Sequence, residues 1–243
     1  MYRVYLKNHK SNSFWICDLL DDKKIGKITA KGKIKLKKKL KKKFQSKLLK
    51  TEIKYNLKKD KQAWTDKYLA YLKKYNQQFI KQFNDNTNYS FPAFTPAIRL
   101  KKCAKDMFSR EVYLHPRAKK AWLKMQKAAK QQGIDLQIIS AYRTLAYQKE
   151  LILKKQSKGM QLADILKVNT LPGYSEHHTG CAIDIGSANA AILEAEFDQS
   201  PAFKWLIKNA NSYNFYLSYP KHNSTGICYE PWHWCYRKLG NNK

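Results

Sequence analysis

Short apolar runs separated by long, irregular intervals are the feature of residues 97–243 that most constrains the fold. Four of these runs predict strands, at 134–139, 182–185, 215–217 and 232–234. Helical patterns lie between them at 116–132, 144–158 and 202–212. Because the intervals show no regular βαβ alternation, we predict an α+β domain with a small central sheet, mixed or antiparallel, and flanking helices.

Residues 1–96 form a separate N-terminal region in this prediction. Two β-like runs, 2–6 and 13–17, flank a polar turn and predict a hairpin. Aromatic residues recur at steps of three and four through 62–83, which predicts a helix whose stripe faces a core. The segment 84–96 is rich in Asn, Thr, Ser and Pro and predicts a linker to the domain 97–243.

The chain carries a large positive charge, concentrated in its N-terminal region. It has 48 Lys and Arg residues against 18 Asp and Glu, a net charge of +30. In the lysine-saturated segment 23–61, Leu36, Leu40 and Phe44 fall at helical spacing and predict a basic helix with a thin apolar seam. This region could bind an anionic envelope polymer or a membrane surface, or simply solubilise the fold. Nucleic acid is a disfavoured partner, because phosphate-recognition sites favour arginine and lysine greatly outnumbers it here.

Cysteine usage and the first residues leave the compartment open. Five cysteines occur without a C-x-x-C pair, which argues against a structural zinc site made of four cysteines. Whether Cys228 and Cys235 pair across a turn is also open. No apolar stretch is long enough to cross a membrane, and the first residues lack the pattern of a signal peptide.

The segment 175–184 offers two candidate metal ligands, His177 and Asp184, with a glycine between them. The histidine would lie on the approach to the predicted strand 182–185 and the aspartate within it. Zinc accepts imidazole nitrogen and carboxylate oxygen, and a catalytic site leaves a fourth position for water. The neighbouring His178 would point away in an extended chain, so we leave it out of the ligand set. Taken alone, the segment fits a polar loop equally well.

The segment 229–234 supplies a third imidazole, His233, and a carboxylate three residues before it, Glu230. Pro231 prevents a regular strand ladder between them, so His233 could bind a metal while Glu230 faces the bound water. Such a glutamate accepts a proton from the water and passes it to the leaving amine. Alone, the two residues also fit a salt bridge and a core histidine; together with His177 and Asp184 they predict a zinc peptidase site.

A third cluster, Ser140-Ala141-Tyr142-Arg143, follows the predicted strand 134–139. The guanidinium of Arg143 could reach into a cleft and bind a carboxylate bidentately, as an enzyme that removes a C-terminal residue requires. The start of a helix repels cations, so an arginine placed there is suggestive of a role beyond that of a surface residue.

Three separated motifs resemble those of the VanY-type D-alanyl-D-alanine carboxypeptidases, a family of zinc peptidases. They are Ser140-Ala141-Tyr142-Arg143 with Tyr147-Gln148, the stretch from Leu171 through His177 to Asp184, and Glu230-Pro231-Trp232-His233. The motifs occur in the expected order, and the resemblance covers residues 97–240. It implies a small α+β fold with a central antiparallel sheet, shared with lysostaphin-like peptidases and hedgehog domains.

The resemblance also implies a site and a reaction. Zinc would be bound by His177, Asp184 and His233, with Glu230 as the base. The implied substrate-contacting residues are Arg143, Gln148 and Ser175. The implied reaction releases D-alanine from peptidoglycan stem peptides or their precursors, which favours an envelope location, although the missing signal pattern keeps the cytoplasm open.

Two positions depart from the pattern of the family. Members usually carry arginine where this chain has Ser218 and Cys235, and the pair Tyr236-Arg237 could compensate in part. These departures bear on the surrounding packing and on substrate preference. An L,D-carboxypeptidase and a peptidoglycan endopeptidase stay open, because the choice among them depends on the shape of the pocket around Arg143. A function of a different class is polyanion binding, with the peptidase fold as a scaffold, since hedgehog-like relatives show that this fold can lose its peptidase role.

Overall fold

The computed structural model describes residues 4–10, 13–18, 23–29, 33–37, 61–84, 91–97 and 99–237. These residues fold into two compact units. The first unit contains the described residues of Met1–Leu100 together with Thr144–Ser175, and the second contains Lys101–Arg143 and the described residues of Glu176–Lys243. The domain boundary between residues 96 and 97 stays a prediction.

Strands and helices follow one another in a mixed order. The strands of the described residues are β1 (Val4–Lys10), β2 (Ser13–Asp18), β3 (Lys24–Ile28), β4 (Ile34–Leu36), β5 (Arg99–Lys105), β6 (Glu111–Leu114), β7 (Gln137–Ser140), β8 (Ala182–Gly186), β9 (Phe215–Leu217) and β10 (His233–Tyr236). The α-helices are α1 (Lys61–Ile80), α2 (Pro116–Gln131), α3 (Leu145–Gln156), α4 (Leu162–Val168) and α5 (Pro201–Asn209). Short 3-10 helices cover Lys81–Phe83, Glu176–Thr179, Ala195–Gln199 and Ala210–Tyr213.

In the first unit, β1 to β4 form an antiparallel meander in which each strand pairs with the next. The other edge of β1 pairs in parallel with the start of β5. The predicted hairpin is confirmed, with Tyr5 opposite Cys17. Leu36 was predicted on a basic helix but lies in β4, because strand pairing overrides a weak helical spacing. The other two residues of that predicted seam, Leu40 and Phe44, lie outside the described residues.

Helix α1 confirms the predicted helix 62–83, and the inner positions of its stripe, Leu72 and Phe79, are 0% and 2% exposed. The side-chain amide of Asn76 donates to the carbonyl of Pro172 over 2.9 Å. Gly173 has φ of +90° and lies so close to α1 that a Cβ there would be 2.2 Å from Leu72 Cδ1. Helix α1 therefore holds the turn that leads to Ser175.

In the second unit, a four-stranded antiparallel sheet has the order β7-β8-β10-β9. This sheet confirms the predicted α+β class with a small antiparallel sheet. Helix α2 packs into the same core through Trp122, Met125 and Ala129, which recur at steps of three and four. All five residues of β8 are buried, so the strand is covered on both faces.

A predicted strand boundary differs from the observed one where the C-terminal turn of a helix includes residues that were predicted to lie in the strand. The strand predicted from residue 134 begins at Gln137, because the end of α2 uses the preceding residues. Gly133, with φ of +74°, donates its amide to the Lys130 carbonyl, and Ile134 donates to the Ala129 carbonyl. Strands β5 and β6 and helix α4 are not in the sequence prediction.

The five cysteines, all among the described residues, form no disulfide; Cys228 is exposed and Cys235 is buried in β10. Among the described residues, no helix is long and apolar enough to cross a membrane.

Candidate metal centre

The register of two strands brings together two of the predicted ligands. β8 and β10 are antiparallel, and His233 stands directly opposite Asp184. Directly opposed residues carry their side chains on the same face of a sheet. His233 Nδ1 consequently lies 3.0 Å from Asp184 Oδ1.

The third predicted ligand, His177, comes from the 3-10 helix that precedes β8. Its Nδ1 lies 2.7 Å from the carbonyl oxygen of Ala141, and its Nε2 lies 3.3 Å from Asp184 Oδ1. A carbonyl oxygen can only accept, so Nδ1 carries the proton and Nε2 presents its lone pair towards Asp184.

The three side chains form a compact, buried donor cluster. One ligand atom from each of His177, Asp184 and His233 lies within 4.8 Å of the others, and the residues are 2%, 1% and 3% exposed. The two imidazole rings meet edge to face at 4.9 Å. Two imidazoles and one carboxylate are the donors of many catalytic zinc sites, which keep a fourth position for water.

The electrostatics of the cluster fit a bound cation. Burial opposes a charge on His233, yet hydrogen bonds with Asp184 and Glu176 raise its pKa to about 10. Burial, aided by the nearby Arg143, lowers the pKa of His177 to about 4 and keeps that ring neutral. A metal ligand must be deprotonated, so a bound cation would replace the proton that His233 directs towards Asp184.

Glu230 lies beside the cluster without belonging to it. Its Oε2 is 3.8 Å from His233 Nδ1, and its side chain is 13% exposed. The backbone holds the residue in place, since the Glu230 amide donates to Tyr219 and the Glu230 carbonyl accepts from the amide of His233. Burial raises the pKa of this carboxyl to about 7, although the nearby His233 opposes the rise. A carboxyl of this kind can exchange a proton near neutral pH.

Arg143 pairs with a predicted ligand in this structure. One terminal nitrogen donates to Asp184 Oδ2 over 2.5 Å, and Nε donates to Ser140 Oγ over 2.9 Å. The guanidinium helps to hold the pKa of Asp184 well below its usual range, against the opposing effect of burial. Its predicted contact with a substrate carboxylate stays a prediction.

The excluded neighbour His178 has a different place from His177. Both lie on the short 3-10 helix and both are buried. His178 Nδ1 lies 2.8 Å from the carbonyl oxygen of Arg143, while the Arg143 amide donates to the carbonyl of His177. His178 is not part of the donor cluster and ties the 3-10 helix to the segment that carries Arg143.

Gln148 and Ser175, the other predicted substrate contacts, belong to the first unit. Both are buried, and Gln148 Nε2 donates to the carbonyl of Thr170 over 2.9 Å. Gln148 Oε1 is buried without a hydrogen-bond partner among the described residues. Their contact with substrate stays a prediction.

A second carboxylate, Glu176, contacts the ring nitrogen of His233 that faces away from Asp184. The sequence did not predict this contact. Glu176 Oε2 lies 2.9 Å from His233 Nε2 and accepts from Ser218 Oγ over 2.5 Å, while Oε1 accepts from Arg237 over 3.0 Å. Its partners lie 57, 42 and 61 positions away in sequence. No local pattern signals such a network; the hint in the sequence was the departure at Ser218 together with Arg237, which could compensate for it.

A buried cluster of two imidazoles and a carboxylate that could hold a metal ion, with a second carboxyl beside it, is the side-chain set typical of metal-dependent hydrolases. The sequence model described as D-alanyl-D-alanine carboxypeptidase, VanY, matches residues 111–239. This match covers more than half of the 243 residues. The chain therefore belongs to the VanY family of D-alanyl-D-alanine carboxypeptidases, and the predicted resemblance is confirmed.

Individual relatives agree with this family. The chain is 36% identical over 129 residues to the putative carboxypeptidase YodJ of Bacillus subtilis, covering 50% of this chain and 45% of YodJ. It is 34% identical over 138 residues to the bifunctional D-Ala-D-Ala dipeptidase and carboxypeptidase VanXYC of Enterococcus gallinarum, covering 55% of this chain and 72% of VanXYC. The chain thus spans less than half the length of YodJ.

A solved structure supports the fold. The LdcB LD-carboxypeptidase is similar with a TM-score of 0.54 and 32% sequence identity. The likeness covers 62% of this chain and 73% of that protein.

Proposed function

We propose that this protein is a zinc-dependent carboxypeptidase that hydrolyses the terminal peptide bond of peptidoglycan stem peptides or their precursors and releases D-alanine. The observation that carries the proposal is the buried cluster of His177, Asp184 and His233 with Glu230 beside it. The substrate class is supported by the family description and by VanXYC, which is described as acting on D-Ala-D-Ala.

The metal would be held by three atoms that already face one another. These atoms are His177 Nε2, Asp184 Oδ1 and His233 Nδ1. When bound, zinc polarises the scissile carbonyl and lowers the pKa of a water in its open position.

Glu230 would move the proton. Its carboxylate accepts a proton from the attacking water and returns it to the amine of the departing D-alanine as the C–N bond breaks. The pKa of about 7 that burial confers suits both halves of this transfer. The hydroxyl of the water remains on the carbonyl carbon, so the products are the shortened peptide with a new carboxyl group and free D-alanine.

Arg143, Gln148 and Ser175 would bind the substrate. A guanidinium recognises a terminal carboxylate through paired hydrogen bonds. Arg143 already neutralises Asp184 over 2.5 Å, so a substrate carboxylate would share this cation with a metal ligand. Binding of substrate and of metal would then be coupled through one guanidinium.

An L,D-carboxypeptidase is the second candidate, because the similar LdcB structure is described as an LD-carboxypeptidase. The discriminating experiment measures D-alanine release from stem tripeptide, tetrapeptide and pentapeptide. Release from the pentapeptide alone supports the D,D reaction, whereas release from the tetrapeptide supports the L,D reaction. Cleavage inside the stem would identify an endopeptidase.

The same preparation tests metal dependence. We expect purified wild-type protein and Glu230→Gln to bind one zinc each, and only wild type to hydrolyse the peptide. Absence of zinc together with unchanged function of Glu230→Gln would instead favour a polyanion-binding protein on a peptidase scaffold.

A further inference from the structure

The carboxylate of Glu176 joins three structural elements behind the donor cluster. Glu176 comes from the 3-10 helix before β8, Ser218 follows β9, and Arg237 follows β10. Arg237 donates to both Glu176 Oε1 and Ser218 Oγ over 3.0 Å. We call these three residues the Glu176 relay.

The relay acts on one nitrogen of His233. Glu176 Oε2 lies 2.9 Å from His233 Nε2, on the opposite side of the ring from the nitrogen that faces Asp184. A carboxylate only accepts, so Nε2 carries a proton towards Glu176; Nδ1, which faces Asp184 in the donor cluster, is the nitrogen that a bound metal would take in place of its proton. The relay therefore holds the Nε2 end of the imidazole and keeps the Nδ1 end directed at the donor cluster.

The relay surrounds a buried carboxylate with hydrogen-bond and ion-pair partners. The Glu176 side chain is 7% exposed and that of His233 is 4% exposed. A buried carboxylate requires compensating donors. Three side chains contact the Glu176 carboxylate: the His233 ring and the Ser218 hydroxyl at Oε2, and the Arg237 guanidinium at Oε1. The side chains that contact the two oxygens of Glu176 all belong to the second unit, as Glu176 does.

Arg237 reaches the relay because its backbone is anchored at the sheet. Its amide donates to the carbonyl of Asn214 over 2.9 Å, just before β9. The Ser218 amide donates to the carbonyl of His233 over 3.3 Å. Both anchors tie the relay to β9 and β10, the strands beside the ligand.

We infer that Glu176, held by Ser218 and Arg237, is a positioning residue that fixes the tautomer of His233 and thereby sets the zinc affinity of the site. This inference rests on the proposed zinc site but not on the identity of the peptide substrate. A carboxylate behind a ligand imidazole orients the ring and increases its basicity, and its loss typically lowers metal affinity about 10- to 100-fold.

The test compares zinc affinities by competition with a chromophoric chelator. We expect Glu176→Gln, which keeps the shape and removes the charge, to weaken zinc binding about 10- to 100-fold. Arg237→Met should weaken it in the same direction, and Arg237→Lys should recover part of the loss. The matched control is Arg110→Met, because Arg110, like Arg237, pairs with a carboxylate of the second unit (Asp106) and is similarly exposed, at 55% against 49%.

Two readouts separate positioning from general damage. Nitrogen-15 NMR of the zinc-loaded protein should show the proton of His233 on Nε2 in wild type and a weakened or exchanging proton in Glu176→Gln. Activity of Glu176→Gln should return towards wild type at saturating zinc, whereas misfolding would not respond to zinc.

Clear results would overturn the inference. Unchanged zinc affinity in Glu176→Gln, or an Arg237→Met variant that behaves like Arg110→Met, would remove the relay from metal binding. Tight zinc binding by wild type without hydrolysis of any stem peptide would overturn the proposed function and leave this inference standing.

Discussion

Replacing Glu230 by glutamine should abolish hydrolysis while zinc binding is retained and the fold is not destabilised. The amide has nearly the shape of the carboxyl but cannot accept the proton of the attacking water. Removal of a general base typically costs about 10²- to 10⁴-fold in rate. Zinc content should stay at the wild-type value, because Glu230 is not among the three donor residues.

The same substitution should stabilise the metal-free protein. Burial raises the Glu230 pKa from 4.5 to about 7. A raised acid pKa means that ionisation destabilises the folded state, so the penalty is absent well below pH 4.5 and complete above pH 7. At about 1.4 kcal/mol per pKa unit, this penalty has an upper bound of about 3 kcal/mol, which the glutamine removes.

The assays are peptide hydrolysis, zinc content, and denaturant unfolding of chelator-treated protein at pH 5 and pH 8. We expect the gain of Glu230→Gln over wild type to be larger at pH 8. The exposed Glu196 of the same unit gives the matched control, Glu196→Gln, which should change neither activity nor this pH dependence. Full activity in Glu230→Gln would refute the assignment of the base, and loss of zinc would refute its separation from the ligands.

Further predictions concern metal, pH and packing. Chelation should abolish hydrolysis and lower the unfolding temperature, and added zinc should restore both, because the ion binds only the folded site. The acid limb of kcat/KM should lie at or below pH 7, since Glu230 must be ionised to act and a nearby cation lowers its pKa. Gly173→Ala should destabilise the protein more than Gly159→Ala does, as judged by denaturant unfolding: both have positive φ, but only the Gly173 Cβ would meet Leu72. Trp122→Ala should cost about 3–5 kcal/mol by the same measurement, because the side chain is fully buried.

Several features of the fold could be predicted from local patterns. The apolar run at 182–185 identified β8, and Pro116 with Gly133 bracketed α2. The same approach failed for Leu36, whose helical spacing was overridden by strand pairing. It also missed β5, where Lys and Arg occupy four of the seven positions and only Leu100 is fully buried. Patterns succeed where burial follows one period and fail where pairing partners decide.

The residues of the candidate site could likewise be predicted from local patterns, whereas their contacts could not. Residue type and spacing singled out His177, Asp184, His233 and Glu230, because few side chains can bind zinc or move a proton. The pairing of Arg143 with Asp184 spans 41 positions, and no local pattern indicates it.

The sequence by itself determined which donors the chain possesses and the strand and turn types that carry them. Only the tertiary structure decided which atoms meet. The register of β8 and β10 sets His233 opposite Asp184, and a slip of one residue would turn the histidine to the other face of the sheet. The contact with Glu176 then holds Nε2 of His233, while Nδ1 faces Asp184 in the donor cluster. Such choices depend on distances between residues far apart in the chain, which exist only after the sheet has formed.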